Sequence, residues 1–116
     1  YAPPDGLLLL AALDGQSVGC VGVRPSAADI CEMKRLYTLP QARGFGVGSA
    51  LVRSALDWAR AQGYEMMRLD TLAHMVDAQA LYEGFGFETV APYYDTPVAG
   101  TRFMACDLRV ESGKPE

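Results

Sequence analysis

The chain has 116 residues, half of them apolar and 21% charged, with a formal net charge of −4. That is enough apolar material for one core, too much for a disordered chain and too little length for two domains, so residues 1–116 read as a single domain. No apolar run approaches the ~20 residues of a membrane helix, no basic leader with an apolar core opens the chain, and a pI near 4.9 speaks against a general nucleic-acid binder.

Tyr1 to Gly6 reads as irregular entry. Leu7 to Leu13 and Ser17 to Val23 are short apolar runs split by Asp14-Gly15-Gln16, the signal of a β-hairpin. Pro25 is expected to end the second strand, with a turn at Ser26 to Asp29. Ile30 to Thr38 is the third strand. Cys31 and Met33 share one face by period two, whereas Leu36 and Thr38 are out of phase with them. A one-residue slip near Lys34-Arg35 restores the phase, which predicts a β-bulge there.

Leu39 to Ser49 is a glycine-rich turn, followed by a helix to about Gln62 in which Leu51, Ala55, Trp58 and Ala59 recur at helical spacing. Gly63 marks its stop. Glu65 to Thr71 is a strand, with Met67 and Leu69 alternating against Arg68 and Asp70. A second helix runs Val76 to Phe85 and closes at Gly86. Phe87 to Tyr93 and Thr101 to Leu108 are the last strands, around a loop at Asp95 to Gly100, and Glu111 to Glu116 is a polar tail. The order β-β-β-α-β-α-β-β predicts an α+β (mixed α/β) fold with a central mixed sheet and flanking helices.

The three cysteines, Cys20, Cys31 and Cys106, form no CxxC pair, and an odd number cannot all pair within one chain. They read as reduced, buried residues of a cytoplasmic protein, and no metal site is expected. Charge is unevenly spread: residues 1–30 carry −2, residues 31–60 carry +3 and residues 61–116 carry −5. The basic stretch surrounds the glycines, which suits an anionic ligand, while the acidic remainder suits a cationic one.

Glycines at 44, 46 and 48 stand after a strand and before a helix. They let a ligand approach the backbone closely, with the free N–H groups and dipole of the helix start aimed at it. The spacing is not the dinucleotide fingerprint, since Ser49 and Leu51 stand where its third glycine belongs, and no Lys makes a Walker loop. Gln41-x-x-Gly44-x-Gly46 instead resembles the Q/R-x-x-G-x-G/A signature of the GNAT (Gcn5-related) N-acetyltransferases. Glu32-Met-Lys-Arg-Leu-Tyr-Thr-Leu-Pro40 resembles that family's fourth strand, and Ala78-Gln-Ala-Leu-Tyr82-Glu-Gly-Phe-Gly86-Phe87 its late helix end. The likeness covers nearly the whole chain.

The resemblance implies the GNAT-type acyl-CoA N-acyltransferase fold and direct acetyl transfer from acetyl-CoA to the amine of a small molecule. It places the co-substrate on Gln41, Arg43, Gly44, Phe45, Gly46, Val47, Gly48 and Ser49, with the pantetheine arm along Leu36, Tyr37 and Thr38. It implies Glu32 as general base and Tyr82 as both a cofactor contact and the acid for the leaving thiolate. Competing readings are a strand carboxylate paired with Lys34 or Arg35, and a tyrosine that merely packs. His74 reads as a capping or solvent residue, and Tyr93, Tyr94 and Asp95 as acceptor-pocket candidates.

Two departures stand out. Met75 replaces an asparagine that many relatives turn on the cofactor. The family's first strand and two helices have no counterpart before the hairpin, and Tyr1 is not an initiating Met, so a longer natural chain or a second subunit completing the site is expected. A homodimer fits the resemblance. The alternatives are a non-catalytic CoA-binding or dimerising module and a phosphate-binding structural protein.

Overall fold

The computed structural model describes residues 6–109; the expected irregular entry before Gly6 and the polar tail Glu111–Glu116 lie outside the described residues. Strand β1 (Leu7–Leu13) returns antiparallel as β2 (Gln16–Ala27) through Asp14 and Gly15. Both turn residues have positive φ, 51° and 81°, the conformation of a two-residue hairpin turn whose twist matches its strands. β2 runs through Pro25 to Ala27 instead of stopping before it. Among the described residues β1 pairs only as far as Val23, so from Arg24 onward one edge of β2 faces no strand and the missing proline N–H costs no ladder bond there.

Strand β3 (Ile30–Thr38) pairs antiparallel with β2, and the expected bulge is present. Cys20 opposes Tyr37 and Gly22 opposes Lys34, so β3 holds one residue more than its partner over that step. Arg35 takes the strain with φ of 60°, and the Cys20 thiol donates to its carbonyl at 3.3 Å. Cys20 is therefore only half-buried, whereas Cys31 and Cys106 lie in the core; all three are free thiols.

A short 3-10 turn at Pro40–Ala42 leads to α1 (Val47–Ala61), which begins within the expected turn rather than after it. Then follow β4 (Met66–Thr71), α2 (Val76–Gly84), β5 (Glu88–Val90) and β6 (Arg102–Asp107). The sheet order is β1-β2-β3-β4-β6-β5, with β3 and β4 parallel and the other neighbours antiparallel. The crossovers β3-α1-β4 and β4-α2-β5 both step the same way along the sheet, so right-handed connections put both helices on one face. There Val21, Val23, Met33, Met67, Leu69 and Met104 pack against Leu51, Val52, Ala55 and Leu56 of α1 and Tyr82 of α2. Each of the Val, Leu and Met side chains among them stabilises the fold by about 1.5–3 kcal/mol on burial.

β5 is three residues long, not seven. All three are exposed at the sheet edge, and Pro92 lacks the N–H to continue the ladder. Tyr93 and Tyr94 turn instead onto the sheet face opposite the helices, against Phe103. Among the described residues no helix is long and apolar enough to cross a membrane.

Candidate acyl-transfer site

The bulge and the chain order open the site. β3 pairs with β4 only at Ile30, Cys31 and Glu32, opposite Met66, Met67 and Arg68. Beyond Glu32, β3 follows β2 while β4 follows β6 to Thr71, and the two halves of the sheet part. A cavity of about 620 Å³ lies beside this fork. Leu36, Tyr37 and Thr38 form one wall, the loop and helix start from Ala42 to Gly44 and from Gly46 to Ser49 its floor, and His74 to Ala78 with Leu81 the other wall.

The floor is built for close approach. Gly44 and Gly46 have φ of 92° and 76°, and a Cβ on either would meet nothing within 4 Å, so open space lies over the loop. The first bond inside α1 runs from the Ala50 N–H to the Gly46 carbonyl at 3.0 Å. The N–H groups of Val47, Gly48 and Ser49 therefore precede the helical ladder and are donors available to an anion. Gly48 serves packing as well: a Cβ there would come within 3.3 Å of Leu81 on α2.

Of the residues expected at the cofactor, Leu36, Tyr37, Thr38, Arg43, Gly44, Gly46, Val47, Gly48 and Ser49 stand together in this wall. Gln41 and Phe45 belong to the same loop but are exposed outside the wall. Tyr82 is buried on α2, its ring tilted on Phe87 with centroids 5.7 Å apart, and is not a wall residue. Burial first, and the negative charge of Asp70 second, push its hydroxyl up to about 12. His74, which is exposed, and Met75 also line the cavity; Met75, not His74, is the N-cap of α2, and it makes no side-chain capping bond.

Glu32 is 4% exposed, on the sheet face opposite the helices. Arg24 donates to its Oε1 from Nε at 3.2 Å and Nη2 at 3.0 Å. Oε2 accepts from the Tyr93 hydroxyl at 3.0 Å and lies 3.3 Å from Lys34 Nζ. Lys34 also donates to Asp70 Oδ2 at 3.3 Å, and the Tyr94 hydroxyl donates to that same oxygen. Pairing with Lys34 was the structural alternative for Glu32, and it is present; Arg24 takes the place foreseen for Arg35.

The tyrosines foreseen at the acceptor pocket thus reach two carboxylates, while Asp95 is exposed. Asp70 and Arg24 were not singled out from the sequence. The alternation of Arg68 and Asp70 against Met67 and Leu69 carried the signal for Asp70. Arg24 carried none, because its partner is eight residues away across a hairpin. Among the described residues no group of His, Cys, Asp and Glu could hold a metal ion.

The family model described as Acetyltransferase (GNAT) family matches residues 1–87. An uncharacterized N-acetyltransferase of Schizosaccharomyces pombe is 40% identical over 110 residues, covering 93% of this chain and 68% of that protein. Uncharacterized N-acetyltransferase YjgM of Escherichia coli is 34% identical over 113 residues, covering 95% of this chain and 65% of its own length. A solved Klebsiella pneumoniae chain assigned as an acyl-CoA N-acyltransferase superposes with a TM-score of 0.83 at 32% identity, over 93% of this chain and 76% of that one. The chain spans about two-thirds of the length of these two relatives and less than half of that of others, such as N-acetyltransferase 8B of Rattus norvegicus at 44%. With a glycine-opened helix start beside a parted sheet and a family match over most of its length, the chain belongs to the GNAT family of acetyltransferases.

Proposed function

We propose that this chain carries acetyl transfer from acetyl-CoA to the amine of a small molecule, by direct attack of the amine on the thioester. The observation that carries the reading is the fork between β3 and β4, with a cavity on its helix side and the buried Glu32 at its root. The N–H groups of Val47, Gly48 and Ser49, with Arg43 beside them, are suited to the pyrophosphate. The edge of β3 at Leu36 to Thr38, turned away from β2, is suited to pair with the pantetheine arm as an added strand. A backbone N–H there would polarise the thioester carbonyl.

Glu32 would take a proton from the substrate's ammonium, directly or through water, and so free the amine to attack. Tyr82 would donate toward the departing sulfur. On the side opposite the helices Tyr93 and Tyr94 offer the acceptor an aromatic face, beside Glu32 and Asp70, whose charges are met by Arg24 and Lys34.

Calorimetric titration of the purified chain tests the first half of the reading. Acetyl-CoA and CoA should bind in the micromolar range, with NAD and ATP giving no comparable heat. Equal competition by ATP or NAD would make the loop a generic phosphate site and end the acetyltransferase reading. A second reading, a CoA-binding module without turnover, draws on one observation: each carboxylate oxygen of Glu32 already has two donors within 3.3 Å. Binding with no transfer to any amine would establish it.

A further inference from the structure

Tyr93 lies outside any helix or strand, on the loop between β5 and β6, yet its ring is held on three sides. Phe103 of β6 meets it edge-on with centroids 5.0 Å apart, and Tyr94 does so at 5.5 Å. The Arg68 guanidinium of β4 lies 4.1 Å from the ring centroid. Phe103 and Arg68 belong to the two strands that pair along their whole shared length, so the phenol is aimed from a rigid base. Its hydroxyl meets Glu32 Oε2 at 3.0 Å, across 61 residues of sequence.

The two oxygens of Glu32 differ. Oε1 is held by both Arg24 donors, a fork that leaves it no room for a proton. Oε2 has two donors as well, but one of them is the Tyr93 hydroxyl, which can turn its own proton away and accept, so Oε2 is the oxygen that can take up a proton. Its neighbours are Lys34, which divides itself between Glu32 and Asp70 at 3.3 Å each, and Tyr93.

We propose that Tyr93 is a positioning residue for acetyl transfer: its hydroxyl sets the rotation of the Glu32 carboxylate so that Oε2 faces the fork between β3 and β4. The proposal rests on the reading of Glu32 as the base. It makes the loop at 91–101 part of the reaction machinery, because the loop carries the hydroxyl to Glu32. Misplacing a base by about 1 Å is costly, since proton transfer needs hydrogen-bond geometry.

The test is a double-mutant cycle on the full chain, read as acetyl transfer to tyramine, spermidine and lysine. Y93F keeps the ring and its contacts with Phe103, Tyr94 and Arg68, so its melting temperature should stay within a few degrees of the parent. Its kcat should fall roughly tenfold, the value of a hydrogen bond to a charged group, with KM for acetyl-CoA unchanged. E32Q should fall by about a hundredfold or more. The decisive result is that Y93F costs nothing further in the E32Q background, because the hydroxyl then has no base to aim. If Y93F lowers kcat by the same factor in both backgrounds, or leaves it unchanged, Tyr93 has a structural role only and the proposal falls while the base assignment stands. If E32Q is as active as the parent, or none of the amines is acetylated, the base reading falls and the Tyr93 proposal falls with it.

Discussion

Tyr82 shows how one buried hydroxyl is prepared for a role. Desolvation, reinforced by Asp70, pushes it up to about 12, so it stays a donor throughout the neutral range. Tyr82→Phe should lower kcat more than tenfold while KM for acetyl-CoA changes less than about twofold. Steady-state kinetics on the two proteins decides the point, and an unchanged kcat removes the acid role. Thr71 illustrates the opposite case. Its side chain is buried in β4 and its Oγ1 has no hydrogen-bond partner. Thr71→Val keeps the shape and removes the unpaired hydroxyl, so it should stabilise the chain by about 1 kcal/mol, seen as a melting temperature a few degrees higher.

At the scale of elements, the site depends on how closely α1 approaches the hairpin. A Cβ on Gly19 of β2 would stand 2.8 Å from the Tyr37 carbonyl, 3.0 Å from Val47 and 3.2 Å from Leu51. Gly19→Ala must therefore push β3 or the start of α1 outward, at a cost of about 1–3 kcal/mol. Because Tyr37 and Val47 are also cavity walls, acetyl-CoA affinity should weaken along with stability. Urea unfolding and calorimetry on the same preparation check both halves. The bulge works in the same region. By adding one residue at Arg35 it turns β3 so that Leu36 to Thr38 follow β2 and face the cavity rather than β4. The phase break between Met33 and Leu36 made this readable from the chain alone.

For the whole molecule, alkali is the informative perturbation. Burial raises the Cys31 thiol from 9.0 to about 12, and Tyr82 from 10.0 to about 12. Between those values the unfolded chain has lost protons that the folded chain still holds. Stability should therefore be level up to about pH 9 and fall as the pH climbs toward 12. Urea unfolding at intervals from pH 7 to 11 gives the curve, and a level curve throughout would mean that neither group is desolvated in solution.

The local features were legible in the chain. Asp14-Gly15 specifies its turn because both residues tolerate positive φ, the glycines at 44 and 46 mark the loop for the same reason, and strand and helix periods name the elements between them. Nine of the residues that the family signature names for the cofactor line one cavity. What only the tertiary structure decided is long-range. β6 inserts between β4 and β5, β5 is cut short so that Tyr93 and Tyr94 cross the sheet, and Glu32 gathers Arg24, Lys34 and Tyr93. Gln41, Phe45 and Tyr82 stand off the cavity wall although the motif runs through or near them. Periodicity and turn chemistry act over a few residues, whereas a contact spanning 61 residues is set by sheet order and packing, which leave no mark in local sequence.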